Sequence, residues 1–173
     1  VEVRSDRLAH DVRADTVLSD TWTVVATTGA SPAILTARWV LFDRGESVVV
    51  ARGSATLVHG NAVLFAEEFT YDIVRDVILV HGRPSVSSSG VVITADSMRY
   101  DRSSGILDAE GAVVGSWEGF DLHAPRVRYG TQAREIIVSS GAEVRAPGAA
   151  LGMGSARVRV DDAVLEARRF RGY

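Results

Sequence analysis

The residue types able to do chemistry are sparse in this chain. The four histidines are His10, His59, His81 and His123, and none stands at the H-x-x-x-H spacing that places two imidazoles on one metal. There is no cysteine, which excludes thiol catalysis, disulfides and Cys-ligated metals. His59 and His81 approach Gly60 and Gly82 near the ends of apolar runs, so a surface or edge role is expected for them rather than ligation. No nucleophile-elbow sequence supports a Ser–His–Asp reading. The adjacent acids Glu67-Glu68 and Asp161-Asp162 would alternate faces on a strand and so form no catalytic dyad. Neither a P-loop nor a dinucleotide-binding glycine pattern occurs. Arg168, Arg169 and Arg171 form a small basic cluster, read as a solvated, charge-protected edge, with lipid phosphate as the alternative contact. No catalytic residue, no metal and no cofactor are expected.

Asp43, Asp72 and Asp101 recur, and recurrent acids invite a calcium reading. Calcium takes about six to eight oxygens in one place, and one Asp per repeat does not supply them. Asx-turn capping is the better account of these residues.

Their spacing leads to the elements that carry them. Ala37-Arg38-Trp39-Val40-Leu41-Phe42-Asp43 recurs as Ala66 to Asp72, Ala95 to Asp101 and Ala124 to Gly130, each step being 29 residues. The pattern is Ala, two free positions, an apolar residue, one free position, an aromatic residue, then Asp or Gly. Gly53, Gly82 and Gly111 follow ten residues after the three Asp residues, and Gly141 follows eleven after Gly130. Weaker copies run from Ser5 to Asp11 and from Ser155 to Asp161, which suits capping units. About six units are expected, each of two strands joined by turns such as Asp101-Arg102-Ser103-Ser104-Gly105. Short turns require antiparallel neighbours. Pro32, Pro84, Pro125 and Pro147 fall near strand ends or bends, where a missing N–H does least harm.

Parity sets the architecture. Ile93 and Ala95 share one parity, Met98 and Tyr100 the other, and the same switch separates Leu64/Ala66 from Phe69/Tyr71 and Leu122/Ala124 from Val127/Tyr129. A straight strand would send the two pairs to opposite faces. A bulge or corner after each Ala puts all four on one face and folds the sheet along a line. The expected fold is all-β: a repeat-built antiparallel β-jellyroll, bent into a V-shaped two-sheet sandwich. One domain is expected over 1–173, with the best repeats at 34–148 and degenerate capping units at 1–33 and 149–173. Tyr71, Tyr100 and Tyr129 should occupy equivalent places one unit apart.

Composition agrees with a globular chain: 173 residues, 46% hydrophobic and 24% charged. All 19 basic residues are Arg and the net charge is −3, which gives no electrostatic footprint for nucleic acid. No apolar run reaches the ~18 residues of a membrane helix. The chain begins at Val1 without Met, so a leader or anchor is expected to be missing from it.

The phrase Val92-Ile93-Thr94-Ala95-Asp96-Ser97-Met98-Arg99-Tyr100-Asp101, followed by Leu107-Asp108-Ala109-Glu110-Gly111-Ala112-Val113, resembles the repeat of OstA/LptA-type lipopolysaccharide-transport proteins. The resemblance covers roughly residues 34–145. Leu151-Gly152-Met153-Gly154 and the stretch Gly29 to Ala37 are closer to the related LptC type, whose members carry an N-terminal membrane helix not present in these residues. The resemblance implies a bacterial periplasmic or cell-envelope bridge in which jellyrolls stack edge to edge and lipid acyl chains move along an apolar trough. The partners it implies are lipid acyl chains and other envelope proteins met through edge strands.

The candidate trough lining is Leu35, Val40, Phe42, Leu64, Phe69, Tyr71, Ile93, Met98, Tyr100, Leu122, Val127 and Tyr129. Passage along such a lining is favoured by non-directional burial of ~0.8 kcal/mol per methylene. The same residues equally describe a closed core that touches no ligand. The alternative function is a structural or accessory subunit of an envelope complex, using the jellyroll as a protein-binding scaffold. A carbohydrate-processing β-helix would need clustered carboxylates on one face, which are absent.

Overall fold

A computed structural model of the chain describes residues 2–27, 32–117, 119–132, 135–138, 141–146, 156–160 and 163–166. These hold strands and turns and no helix, and every pairing is antiparallel. The strands form two layers. Layer A contains β2 (Ala9–Asp11), β3 (Thr16–Ser19), β6 (Trp39–Asp43), β9 (Val77–His81), β12 (Ser97–Asp101), β15 (Glu135–Val138) and β18 (Ala163–Glu166). Layer B contains β1 (Glu2–Ser5), β4 (Thr23–Thr27), β5 (Ala33–Ala37), β10 (Ser85–Ser88), β11 (Val91–Thr94), β16 (Ala142–Ala146) and β17 (Ala156–Val160). Four long strands, β7 (Val48–His59), β8 (Ala62–Asp72), β13 (Ile106–Trp117) and β14 (Phe120–Gly130), pass from one layer to the other. The first half of β7 pairs with β6 and the second with β5; β13 divides in the same way between β12 and β11.

The line of bends has a repeated physical cause. Gly53, Gly82 and Gly111 all have φ between +74° and +81°, and the residue after each, Ser54, Arg83 and Ala112, is also left-handed. In β7 and β13 this Gly-X pair opposes a single residue of the partner strand and so forms a bulge, lying between Arg52 and Ala55 and between Glu110 and Val113. The sequence pattern suggests the bulge directly after the alanine; the extra residue instead sits on the neighbouring strand, at the glycine. Facing it is the residue after the repeat alanine. A Cβ on Gly82 would come within 2.6 Å of Glu67 Cβ, and one on Gly111 within 3.0 Å of Asp96 Cβ. The glycine is therefore required twice over, by its φ and by the side chain crossing above it. On either side of the corner the inward parity is reset, so Ala66, Phe69 and Tyr71 are all buried, as are Ala95, Met98 and Tyr100.

The acids of the repeat cap turns, as their spacing suggests. Oδ1 of Asp43, Asp72 and Asp101 accepts the backbone N–H of Glu46, Arg75 and Ser104 at 2.9–3.1 Å, and Asp11 accepts that of Arg13 at 2.9 Å. Each turn then reaches a left-handed residue four positions on: Asp15, Ser47, Asp76 and Gly105. The carbonyl of that residue accepts an N–H from the next unit's turn, at Arg44, Ile73, Arg102 and Thr131, at 2.9–3.1 Å. These bonds join successive units outside the sheet ladder.

Candidate functional site

The predicted lining residues fall on three cross-strand rows. In layer A, Phe42, Val49, Tyr71, Ile78, Tyr100, Leu107, Tyr129 and Ile136 are successive register partners. The tyrosines thus stand two strands apart in equivalent positions, as the 29-residue step requires. A second row of layer A runs through Val40, Ala51, Phe69, Val80, Met98, Ala109, Val127 and Val138. In layer B, Leu35, Leu57, Leu64, Val86, Ile93, Gly115, Leu122 and Val144 form the third. Eleven of the twelve candidate residues are buried in one hydrophobic cluster; Phe42 is partly buried and packs against it.

These side chains fill the interior. The space left beneath the rim of layer A is a cavity of about 10 Å³, walled by Val25, Ala33, Leu35, Leu57, Tyr71 and Ile78 and closed by Thr27 and Arg102. That is about the room one water needs. Around this cavity the described side chains of the two layers are in contact.

The side opposite the bends, where the turns of layer A meet those of layer B, forms the mouth of the sandwich. Polar contacts bridge this mouth. Tyr100 Oη lies 2.7 Å from His59 Nδ1, and Tyr129 Oη donates to the Ser88 carbonyl at 3.4 Å, both across 41 residues. Arg102 makes the third bridge. Its Nη1 donates to Tyr71 Oη at 2.6 Å and to Asp76 Oδ1 at 2.7 Å, and Nη2 donates to Thr27 Oγ1 at 3.0 Å. The guanidinium also stacks 5.4 Å from the Tyr71 ring centre.

His59, expected at the surface or an edge, is instead buried, and so is Arg102 of the turn motif. They are only 6% and 7% exposed. The reason lies in the other layer. The turn carrying Arg102 folds over Thr27 and Tyr71, and the end of β7 carries His59 over Tyr100. The pair Arg44–Asp15 shows the alternative at the equivalent place of an earlier unit, with both side chains about half exposed. Only the long-range pairing distinguishes the two arginines. Their sequence contexts, Asp-Arg followed by turn residues, are nearly the same.

Burial sets the electrostatics of the mouth. It holds the His59 imidazole below its ordinary pKa, with the Arg102 charge acting in the same direction and Asp76 opposing. Burial pushes the Tyr71 phenol up to about 12, aided by its hydrogen bond to Asp76, and raises Tyr100 as well. Both phenols are therefore neutral near neutral pH. Among the described residues there is no group of three or more His, Cys, Asp or Glu able to hold a metal. The basic cluster Arg168, Arg169 and Arg171 lies outside the described residues.

The bent, two-layered sheet with stacked apolar rows defines a repeat-built β-jellyroll of the LptA type. Among solved structures the chain is similar to LptH of Pseudomonas aeruginosa, the LptA-homologous periplasmic component of the lipopolysaccharide transport device. The TM-score is 0.59 at 18% identity, over 78% of this chain and 95% of that one. At that identity the likeness is one of fold. No protein-family profile and no curated protein matches the chain.

Proposed function

We propose that this chain is a periplasmic component of a bacterial lipopolysaccharide-transport bridge, taking lipid acyl chains between its two layers. The observation that carries the reading is the stack of in-register apolar rows along a bent jellyroll of the LptA type. Similar apolar rungs at successive units give a sliding chain similar contacts at each step, and no rung binds it uniquely. Leu64, Phe69, Met98 and Tyr100 would line the path, with the bridged mouth opening to admit lipid. Terminal strands would dock on neighbouring envelope proteins. The whole chain, 1–173, acts as one unit in this proposal and needs no cofactor.

The closed interior supports a second reading, in which the rows are permanent core and the jellyroll is a scaffold subunit of an envelope complex. Photo-crosslinking residues at Met98 and Phe69 separate the two, with Arg99 as an outward-facing control on the same strand as Met98. Transport predicts lipid adducts at Met98 and Phe69 and none at Arg99. Adducts to protein alone, or none at all, in cells assembling the protein normally would replace transport with the scaffold reading.

A further inference from the structure

The ties across the mouth weaken unit by unit. Arg102 donates hydrogen bonds at 2.6, 2.7 and 3.0 Å, and His59 meets Tyr100 at 2.7 Å, but Tyr129 reaches the Ser88 carbonyl only at 3.4 Å. The cause is one position of the repeat. An inward row of layer B runs along the mouth from His59 through Ala62, Ser88 and Val91 to Trp117. Ser88 stands 29 residues after His59 and takes its place one unit on, but its side chain is too short to cross to the tyrosine.

This leaves Ser88 with a hydroxyl that is buried and unanswered. The residue is 2% exposed, and among the described residues none offers a hydrogen-bond partner to its Oγ. Such a group bears the full cost of its desolvation. Native interiors hold few of them, and those few call for a partner from outside the chain.

The deficit is one of acceptors. Tyr129 Oη lies against the backbone of Ser88 itself, so two hydroxyl protons meet at one spot. Among the described residues only the distant Ser88 carbonyl receives either. A single sp² oxygen has two lone pairs and accepts both protons. That oxygen must be neutral. The register partners beside the pair are Ala62 and Val91 in layer B and Leu107 and Ile136 in layer A, and none carries a charge to balance an anion. All four are buried and apolar, so the acceptor must arrive attached to hydrocarbon.

We propose that Tyr129 and Ser88 form a carbonyl-binding site at the mouth, taking the ester or amide oxygen of an acyl chain whose tail lies on the apolar rows. The site rests on the lipid reading above and adds a chemical class to it: acyl esters and amides rather than alkyl ethers or bare hydrocarbon. The tail still meets similar rungs at each step, and only its head is read. The tie at this rung is the longest of the three, so the layers part here at least cost and bring the carbonyl to both hydroxyls.

The test uses the full chain and two glycerolipids that differ in one group, monodecanoylglycerol, an ester, and monodecylglycerol, the matching ether. Binding is followed by tryptophan fluorescence below micelle-forming concentrations. The wild type should bind the ester about tenfold more tightly, the effect of two added hydrogen bonds. Ser88→Ala and Tyr129→Phe should each cut that preference at least about threefold, and together bring the ratio to about one. Ser87→Ala, at an exposed position on the same strand, should leave it unchanged. Ser88→Ala should also melt no lower than the wild type, because it removes a buried hydroxyl that has no partner in the fold. An ester preference that survives both substitutions overturns the proposal. Equal binding of ester and ether by the wild type overturns it and leaves lipid carriage standing, whereas binding of neither removes both.

Discussion

Tyr100 and His59 meet across the interior, with Oη 2.7 Å from Nδ1 and the ring centres 5.7 Å apart at 61°. One strand belongs to each layer, so this bond ties the two sides of the mouth. One unit later, Tyr129 reaches across to Ser88, which stands 29 residues beyond His59. The same tie is thus repeated with a carbonyl in place of an imidazole. Removing the phenol hydroxyl should tell the two apart. Tyr100→Phe leaves His59 without this partner and should cost about 1–2 kcal/mol, whereas Tyr129→Phe removes a bond of 3.4 Å and should cost less than about 0.5 kcal/mol. Urea unfolding of both variants at neutral pH provides the comparison.

The buried imidazole makes stability depend on pH in one direction. Its pKa in the fold lies below the unfolded value of about 6.5, because burial and Arg102 disfavour the charged form. The unfolded chain therefore binds the proton more readily. Stability is full above about pH 6.5 and is lost as pH falls through the depressed folded pKa. The capping carboxylates Asp72 and Asp101 are also lowered, but they act further down, below the ordinary carboxylate range. Urea midpoints between about pH 7.5 and 5 should fall for the wild type and change less for His59→Gln. Equal slopes in the two proteins would remove His59 from this account.

Arg102 and Arg44 follow equivalent aspartates in the repeat but sit in different surroundings. Arg102→Ala leaves Asp76 and the Tyr71 hydroxyl facing an apolar cavity and should destabilise by about 1–3 kcal/mol, discounted for the partial exposure of Asp76. Arg44→Ala removes an exposed pair at 3.4 Å and should cost less than about 0.5 kcal/mol. If the proposed mouth opens there, Arg102→Ala should also raise amide hydrogen exchange in β4 and β5 more than in β13.

The corner glycines should tolerate no side chain. Gly82→Ala meets Glu67 and a φ of +80°, so a loss of about 2–3 kcal/mol is expected. Gly60→Ala has a φ of +56° but open space around it, and should cost only about 1 kcal/mol. Thermal melts of the two variants would show whether the crossing side chain adds to the backbone strain.

Local signals in the sequence were enough to determine the repeat, its turns and its inward residues. A 29-residue step, capping acids, left-handed glycines and period-two burial each depend on a few neighbouring residues, so they survive in one dimension. Tyr71, Tyr100 and Tyr129 fall in register because strand geometry turns equal spacing into equal position. What the tertiary structure alone decided is which side chains meet across the two layers. Arg102 and Arg44 have nearly the same neighbours in sequence, and only the strand lying over each makes one buried and the other exposed. His59 resembles any strand-end histidine until Tyr100, 41 residues away, is brought within hydrogen-bonding distance.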